Sequence, residues 1–443
     1  MRGDFSRFTY SPMNNYLGVL KQQGRVDLDS DWNEQTEIIS EYLRQLTSDI
    51  LGHFAVPLAA NDITNDNSQA LKITDYSSGP GGVIDFKIGR GLAYVGGYPL
   101  LLPKDIAFRS QPDYPEAETP VGDGDLLVFI EAWKKTINYI DDETIREPAL
   151  GGPDTCLRTK LVGQVKVIIA EKVAGPHDAY EFVNSAYPPA NVVLTLQIDQ
   201  SAHQIPMSFG EVDMGGGMIP GNLHYRIEFH RGIRPNGDIV EGVKWSDENA
   251  ATVVRALKSV DGSAFLVEEP EQVTGESFKE GDWVEVSNTV TELQRQGSQM
   301  GRIISTESAE GGLLVRLDTM VHPLLARFRN GGRSALPFDP APRLRRWSGY
   351  VEPLAMKTVY NLGHGIKVTF HSTERKYRIE PGDYWTYAIR DREYNKRHAP
   401  QKAAPNGIWK YRHPLAIIRR DGNEATEIID CRRFFKTMAE FDI

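Results

Sequence analysis

His224, Glu228 and His230 are the residues whose types best suit chemistry. With Arg226 they alternate with Tyr225, Ile227 and Phe229, and alternation along a strand places them on one face. Two imidazoles and a carboxylate match a zinc ligand set by type. Their spacing does not: six residues of extended chain span roughly 20 Å, so one ion cannot reach both histidines. The face is expected to be the solvent-facing polar side of a strand. The acidic runs Asp141-Asp142-Glu143 and Asp247-Glu248-Asn249 lack the alternating ligands, central Gly and closing Glu of a calcium loop. No Gly-x-Ser-x-Gly elbow, His-Glu-x-x-His pair, phosphate loop, dinucleotide fingerprint or Cys-x-x-Cys pair occurs. Gly151-Gly152-Pro153-Asp154 is a tight connection suited to presenting a loop, not to cradling phosphate. Paired carboxylates for glycoside hydrolysis are defined by a separation in space, which sequence does not give. The chain is therefore assigned no catalytic residue, no metal ligand and no cofactor.

The remaining chemistry is that of contact. Trp32, Thr36, Ile39, Leu43, Leu46 and Ile50 recur at alternating spacings of four and three, a heptad seam about two and a half repeats long. Asp27, Asp29, Asp31 and Glu34 crowd the start of this helix, where the dipole favours anions. Ser30 or Asp31 is expected to cap it, Asp31 with Glu34 has capping-box spacing, and Gly52 suits the C-terminal cap. The seam fits either an amphipathic helix packed on its own domain or a self-associating helix. It is too short to hold an oligomer unaided. A second contact candidate is Arg327, Arg329, Arg333, Arg343, Arg345 and Arg346, interleaved with Pro and Gly. These fit a solvated basic loop or a docking patch for an acidic partner.

The elements that must position these groups are mainly β. Residues 1–29 read as extended and 53–80 as polar loop. Gly91-Leu92-Ala93-Tyr94-Val95, Gly96-Gly97 and Tyr98-Pro99-Leu100-Leu101-Leu102 read as a hairpin, since paired glycines allow the primed turns. Strands are expected over 125–133, 159–171, 192–198 and 224–230, with irregular Gly/Pro-rich stretches at 174–190 and 206–221. Glu280-Gly281-Asp282 and Pro381-Gly382-Asp383 each launch an aromatic strand, as good turn chemistry. The expected fold is mainly β and multi-domain, with small sandwiches or barrels behind one long N-terminal α-helix. Five parts are expected: leader plus helix at 1–52, a β domain at 53–184, a β-rich segment at 185–260, a small barrel-like domain at 261–330 and a C-terminal β domain at 331–443.

The 443 residues carry a net charge of −10, which disfavours nucleic-acid backbones. No run of 18 apolar residues spans a membrane, and the opening Met-Arg-Gly-Asp-Phe-Ser has no signal-peptide core. Cys156 and Cys431 are expected to be free thiols in a protein made in the cytoplasm.

Several stretches together resemble one largely uncharacterised bacterial family whose members are encoded with phage-tail and contractile-injection baseplate components. They are Arg2-Gly3-Asp4-Phe5-Ser6-Arg7; Gln22-Gln23-Gly24-Arg25-Val26 with Asp31-Trp32-Asn33-Glu34-Gln35; Ala149-Leu150-Gly151-Gly152-Pro153-Asp154-Thr155; Tyr225-Arg226-Ile227-Glu228; Lys244-Trp245-Ser246; Gly281-Asp282-Trp283; Leu344-Arg345-Arg346-Trp347; Gly382-Asp383-Tyr384-Trp385; and Asp430-Cys431-Arg432-Arg433. The opening is also similar to the start of phage tail-fibre and fibre-adaptor proteins, which attach to a baseplate through this segment, commonly as trimers. The resemblance implies a structural component of a phage-tail-like contractile injection particle, acting by attachment and assembly. Partners would be other particle subunits and sister copies, with a trimer favoured. Partner-binding residues would be Arg25, Trp32, Ile39, Leu43, Leu46 and Ile50, with Arg343, Arg345 and Arg346. Made in the bacterial cytoplasm, the protein would reside in a virion-like particle. The competing expectations are a tailspike-like carbohydrate-binding or carbohydrate-degrading protein, and a toxin cargo.

Overall fold

A computed structural model describes residues 1–58, 67–79, 82–150, 154–171, 173–198, 223–268, 278–326, 341–390, 392–422 and 424–436. An extended leader precedes helix α1 (Asp29–Leu51). Then come strands β1 (Phe54–Pro57), β2 (Ile73–Ser78), β3 (Ile84–Ile88), β4 (Gly91–Val95), β5 (Tyr98–Leu102) and β6 (Ile106–Ala107). The long pair β7 (Asp125–Ile137) and β8 (Arg158–Ala170) leads to helix α2 (Pro176–Ala186), then to β9 (Val192–Ile198), β10 (His224–Ile233) and β11 (Ile239–Ser246). Next are β12 (Val253–Ser259), β13 (Ala264–Val267), β14 (Trp283–Ser287), helix α3 (Thr289–Gln294), β15 (Gln299–Ala309), β16 (Gly312–Leu317) and β17 (Arg343–Trp347). The last elements are β18 (Gly349–Val351), β19 (Val359–Gly363), β20 (Ile366–Ser372), β21 (Tyr384–Ala388), helix α4 (Arg392–His398), β22 (Tyr411–Asp421), β23 (Glu424–Asp430) and β24 (Phe434–Phe435).

The fold is mainly β, with several sheets and one six-stranded barrel. The sheets do not follow the linear order of the chain. Strands β22 and β23, from the C-terminal part, extend the β7–β8 pair in the order β23-β22-β7-β8, and β24 pairs in parallel with β1. These strands enclose one apolar core around Phe54, Phe86, Phe108, Leu126, Val128, Ile130 and Ile418. The barrel closes in the order β12-β13-β16-β15-β14-β17, so it reaches beyond 261–330 at both ends. Its interior holds Val254, Phe265, Val284, Val286, Ile303, Val315 and Leu344. A third core lies between the sheets β18-β11-β10-β21 and β19-β20-β9, with Tyr225, Ile227, Phe229, Phe370 and Trp385.

The Gly96-Gly97 hairpin and the strand at 192–198 form as expected. The Gly-Asp turns also behave alike: Asp282 accepts a hydrogen bond from the Lys279 amide, and Asp383 from the Glu380 amide, both at 2.9 Å. The strands they launch, β14 and β21, belong to a barrel and an open sheet respectively, so the echo is turn chemistry and not a duplicated barrel. Two loops were misjudged. The expected loop 53–80 holds two strands: the wholly buried β1 at 54–57, too short to show periodicity, and β2 at 73–78. Residues 176–186 form α2, which begins at Pro176, the favoured first helical position, and buries Ala179 and Val183. The stretch 206–221, Gly151-Gly152-Pro153, and Arg327, Arg329 and Arg333 lie outside the described residues.

The largest correction concerns polar faces expected to meet solvent. His224, Arg226, Glu228 and His230 are all buried. One face of β10 fills the apolar core; the other meets the leader and the barrel. Arg2 lies across it and donates to Glu228 through two nitrogens. Arg226 Nε donates to the same carboxylate at 2.6 Å, and Lys244 Nζ lies 3.4 Å away. Lys244 also donates to Glu285 at 2.6 Å, and Glu285 accepts from Trp347 Nε1 at 3.0 Å. The basic docking patch is corrected in the same way. Arg343, Arg345 and Arg346 are buried in β17, whose alternation sends Leu344 into the barrel. Arg343 Nη1 donates to Asp141 at 2.8 Å and Glu292 at 3.1 Å. Arg345 Nη1 donates to the Ala250 carbonyl at 2.7 Å, and Arg346 pairs with Glu248 at 2.7 Å. These arginines join parts of one chain and are not available to an acidic partner. Cys156 is exposed and Cys431 buried, both as free thiols.

This buried polarity fixes the pH response. Desolvation would raise the Glu285 and Glu131 carboxyls, but neighbouring cations outweigh it: Lys244 and Arg2 hold Glu285 at about 2, and Lys410, Lys166 and Arg412 hold Glu131 at about 2. Burial pushes His224 down to about 4, and His230 and His413 down to about 3. Both classes are depressed on folding, so the unfolded chain binds more protons in acid. The histidine contribution is lost as pH falls below about 6.5, and the carboxylate contribution as it falls below about 4.5. The midpoint of thermal unfolding is expected to drop steadily from pH 7 to pH 4 in a calorimetric series. A flat profile over that range would contradict the buried neutral histidines.

Candidate functional site

Helix α1 is the most unusual element of the surface. Its heptad seam is turned outward: Trp32 is 71% exposed, Ile50 70%, Leu43 54% and Ile39 50%, with Leu46 and Tyr42 also exposed. Among the described residues the seam is left open, which favours the self-associating or partner-binding alternative over a seam packed on its own domain. Of the helix's large apolar side chains only Ile38, one position before the seam residue Ile39, is buried.

The side that meets the body is polar. Glu37, Glu41, Arg44 and Ser48 recur at spacings of four, three and four, opposite the seam. Lys134 of β7 donates to Glu37 at 3.2 Å and Glu41 at 3.1 Å. Tyr98, the first residue of β5, donates its hydroxyl to Glu41, and Arg44 Nε donates to the same carboxylate at 2.6 Å. Desolvation would raise Glu41, but the bonds from Tyr98, Arg44 and Lys134 outweigh it and hold it below its ordinary value. Burial pushes Lys134 down, and Glu37 and Tyr98 more than reverse this, so it stays charged. An ordinary surface helix buries its apolar stripe and exposes its charges. This one does the reverse.

The leader sets where the helix lies. From Arg2 in the ionic centre it runs back past the first turns of α1. The Ser6 amide donates to Asp29 Oδ2 at 2.9 Å, Thr9 Oγ1 to Glu34 at 2.6 Å, and the Val19 amide to Gln35 Oε1 at 2.6 Å. The expected caps therefore do not form. The helix begins at Asp29 with Leu28 at the N-cap and no side-chain cap bond, so Ser30 and Asp31 lie inside the first turn, while Asp29 and Glu34 accept bonds from the leader. Gly52 does close the far end, its amide donating to the Ser48 carbonyl at 2.8 Å. The outer leader is apolar and exposed at Leu17, Leu20 and Val26, and Arg25 is exposed in the Gln22–Arg25 turn.

The structure thus gathers Arg25, Trp32, Ile39, Leu43, Leu46 and Ile50 on the exposed N-terminal element and separates them from Arg343, Arg345 and Arg346. Sequence reading missed Arg2, Glu37, Glu41, Tyr98 and Lys134. The acidic stripe behind the seam was the available signal for the docking side. Among the described residues no group of three or more His, Cys, Asp or Glu gathers to hold a metal ion. Glu228 and Glu285, carboxylates that share Lys244, are buried with their oxygens committed to cations and hydrogen-bond donors. No described helix is long and apolar enough to cross a membrane.

Residues 1–202 match the model of a family of unknown function (DUF6519). The match takes in the leader, α1 and the chain through β9. No curated protein and no solved structure matches the chain.

Gly97 sets how closely α1 approaches the hairpin. It sits at φ +83°, and a Cβ there would lie 2.3 Å from the Arg44 carbonyl and 2.6 Å from Ser48 Oγ. Gly97→Ala is expected to cost about 1–3 kcal/mol and to speed hydrogen exchange across residues 29–51. Unchanged melting and exchange would show that this contact does not seat the helix.

Proposed function

We propose that the protein is a structural component of a phage-tail-like contractile injection particle, a fibre-like or adaptor subunit at the baseplate that acts by attachment and assembly rather than catalysis. The observation that carries this reading is the outward apolar seam of α1 above a polar, ion-paired underside. Solvent gives such a helix no reason to place its apolar stripe outside; a partner surface does. The underside holds the helix in place through Lys134, Glu37, Glu41 and Tyr98, so the seam is presented without refolding. Large interfaces anchored by aromatic and aliphatic side chains suit permanent assembly. The link to injection particles rests on the sequence resemblance, as do synthesis in the bacterial cytoplasm and residence in a released or intracellular particle.

The test uses surface substitutions, because removing the leader would also strip Arg2 from the ionic centre. Leu46→Asp with Ile50→Asp alters two exposed positions and is expected to leave the fold intact. In cells assembling the particle, the double variant should be soluble and folded but missing from purified particles. Recovery at the wild-type proportion in particles would rule out α1 as the attachment element.

A further inference from the structure

We propose that the open face of the sheet β19-β20-β9 is a second contact surface, one that receives an acidic patch on another protein. It stands apart from the seam and holds whether or not α1 attaches the chain. The inner side of this sheet closes the third core through Leu194, Leu196, Val368 and Phe370. Alternation turns the other residues outward, and register lines them up across the strands. Asn361, Lys367 and Gln197 form one row, and Val359, Thr369 and Thr195 the next, with His371 beside Val193 beyond them. Among the described residues this face carries no carboxylate and no Phe, Tyr or Trp.

Four cations border it. The Lys357 amide donates to the Phe370 carbonyl at 2.8 Å, the Lys402 amide donates to Thr195 Oγ1 at 3.3 Å, and the Lys376 carbonyl accepts from Asn191 at 3.0 Å. These bonds pin Lys357 on the β19 side, Lys402 on the β9 side, and Arg375-Lys376 at the end where β20 leaves the sheet. All four side chains are exposed, and none forms an ion pair. Glu374 is taken by Arg378, which donates to both its oxygens, and Asp247 lies 3.9 Å from His364 at the far end.

Two observations give the partner. In a chain of net charge −10, four unpaired cations around one face are complementary to a surface of opposite sign. Lys357 and Lys402 also sit at φ +61° and +50°, left-handed backbone that Gly adopts without steric cost. Exposed and unpaired, these side chains add nothing to the packing, so what lysine supplies there is charge. A long polyanion is repelled by the acidic remainder of the chain, and the face offers no ring on which a base could stack. Val359, 57% exposed, adds an apolar contact beside Thr, Asn and Gln, a mixture suited to a protein surface.

Fluorescence anisotropy of labelled poly-L-glutamate tests this on the full chain, at low and at physiological salt. The wild-type chain is expected to bind, and binding to weaken with salt. Lys357→Gly with Lys402→Gly relieves the left-handed backbone. Its melting temperature should therefore equal or exceed that of the wild type, while affinity for poly-L-glutamate falls about tenfold. Polygalacturonate, which carries its carboxylates on sugar rings, should bind more weakly than poly-L-glutamate. No binding of poly-L-glutamate at low salt, equal binding by the double variant, or tighter binding of polygalacturonate would overturn the inference. Self-association of the wild type in sedimentation that the double variant loses would also overturn it, because the occupant would then be a second copy.

Discussion

The contact of Arg2 with Glu228 joins the three parts of the molecule on which everything else depends. Glu228 belongs to the sheet of β10, Lys244 beside it reaches Glu285 of the barrel, and Arg2 ties the leader to Glu228 and, at 3.7 Å, to Glu292 of α3. A buried carboxylate needs cations and donors around it, and losing one partner leaves desolvated charge. That requirement fixes the leader's first residues. The bonds from Ser6, Thr9 and Val19 then fix the start of α1. The direction of the exposed seam is therefore set from inside the molecule, by electrostatics and not by apolar packing.

This arrangement explains how a helix can be firmly placed with its apolar side in solvent. Lys134 and Tyr98 supply partly buried donors from the body for Glu37 and Glu41. Charge-assisted hydrogen bonds are directional, so they specify rotation about the helix axis as well as distance. The hairpin contributes a close approach at Gly97, which leaves no room for the helix to roll its seam inward.

Elements defined by local rules were legible from sequence. The β4–β5 hairpin, β9 and the two Gly-Asp turns follow from turn chemistry and strand periodicity, and the seam follows from heptad spacing. The direction of the seam was not legible, because it depends on Lys134 meeting Glu37 and Glu41, which lie 97 and 93 residues away in the chain. The polar face of β10 was misjudged for a related reason. Alternation separates two faces but does not say that the second is covered, here by the leader and the barrel. Arg343, Arg345 and Arg346 looked like a surface patch because Pro and Gly surround them. Their burial depends on Asp141, Glu292 and Glu248, carboxylates from distant parts of the chain. The sheet that joins β7 and β8 to β22 and β23 likewise rests on pairings that no local signal reports.

The central claim is that the outward seam of α1 is covered by another chain in the working assembly. Site-specific photocrosslinking tests it most directly, with p-benzoylphenylalanine introduced at position 43 of the full chain and irradiated in assembled particles. The account predicts crosslinks from position 43 to a neighbouring chain. Crosslinks confined to the same chain, or a position 43 that reacts only with solvent in intact particles, would contradict it.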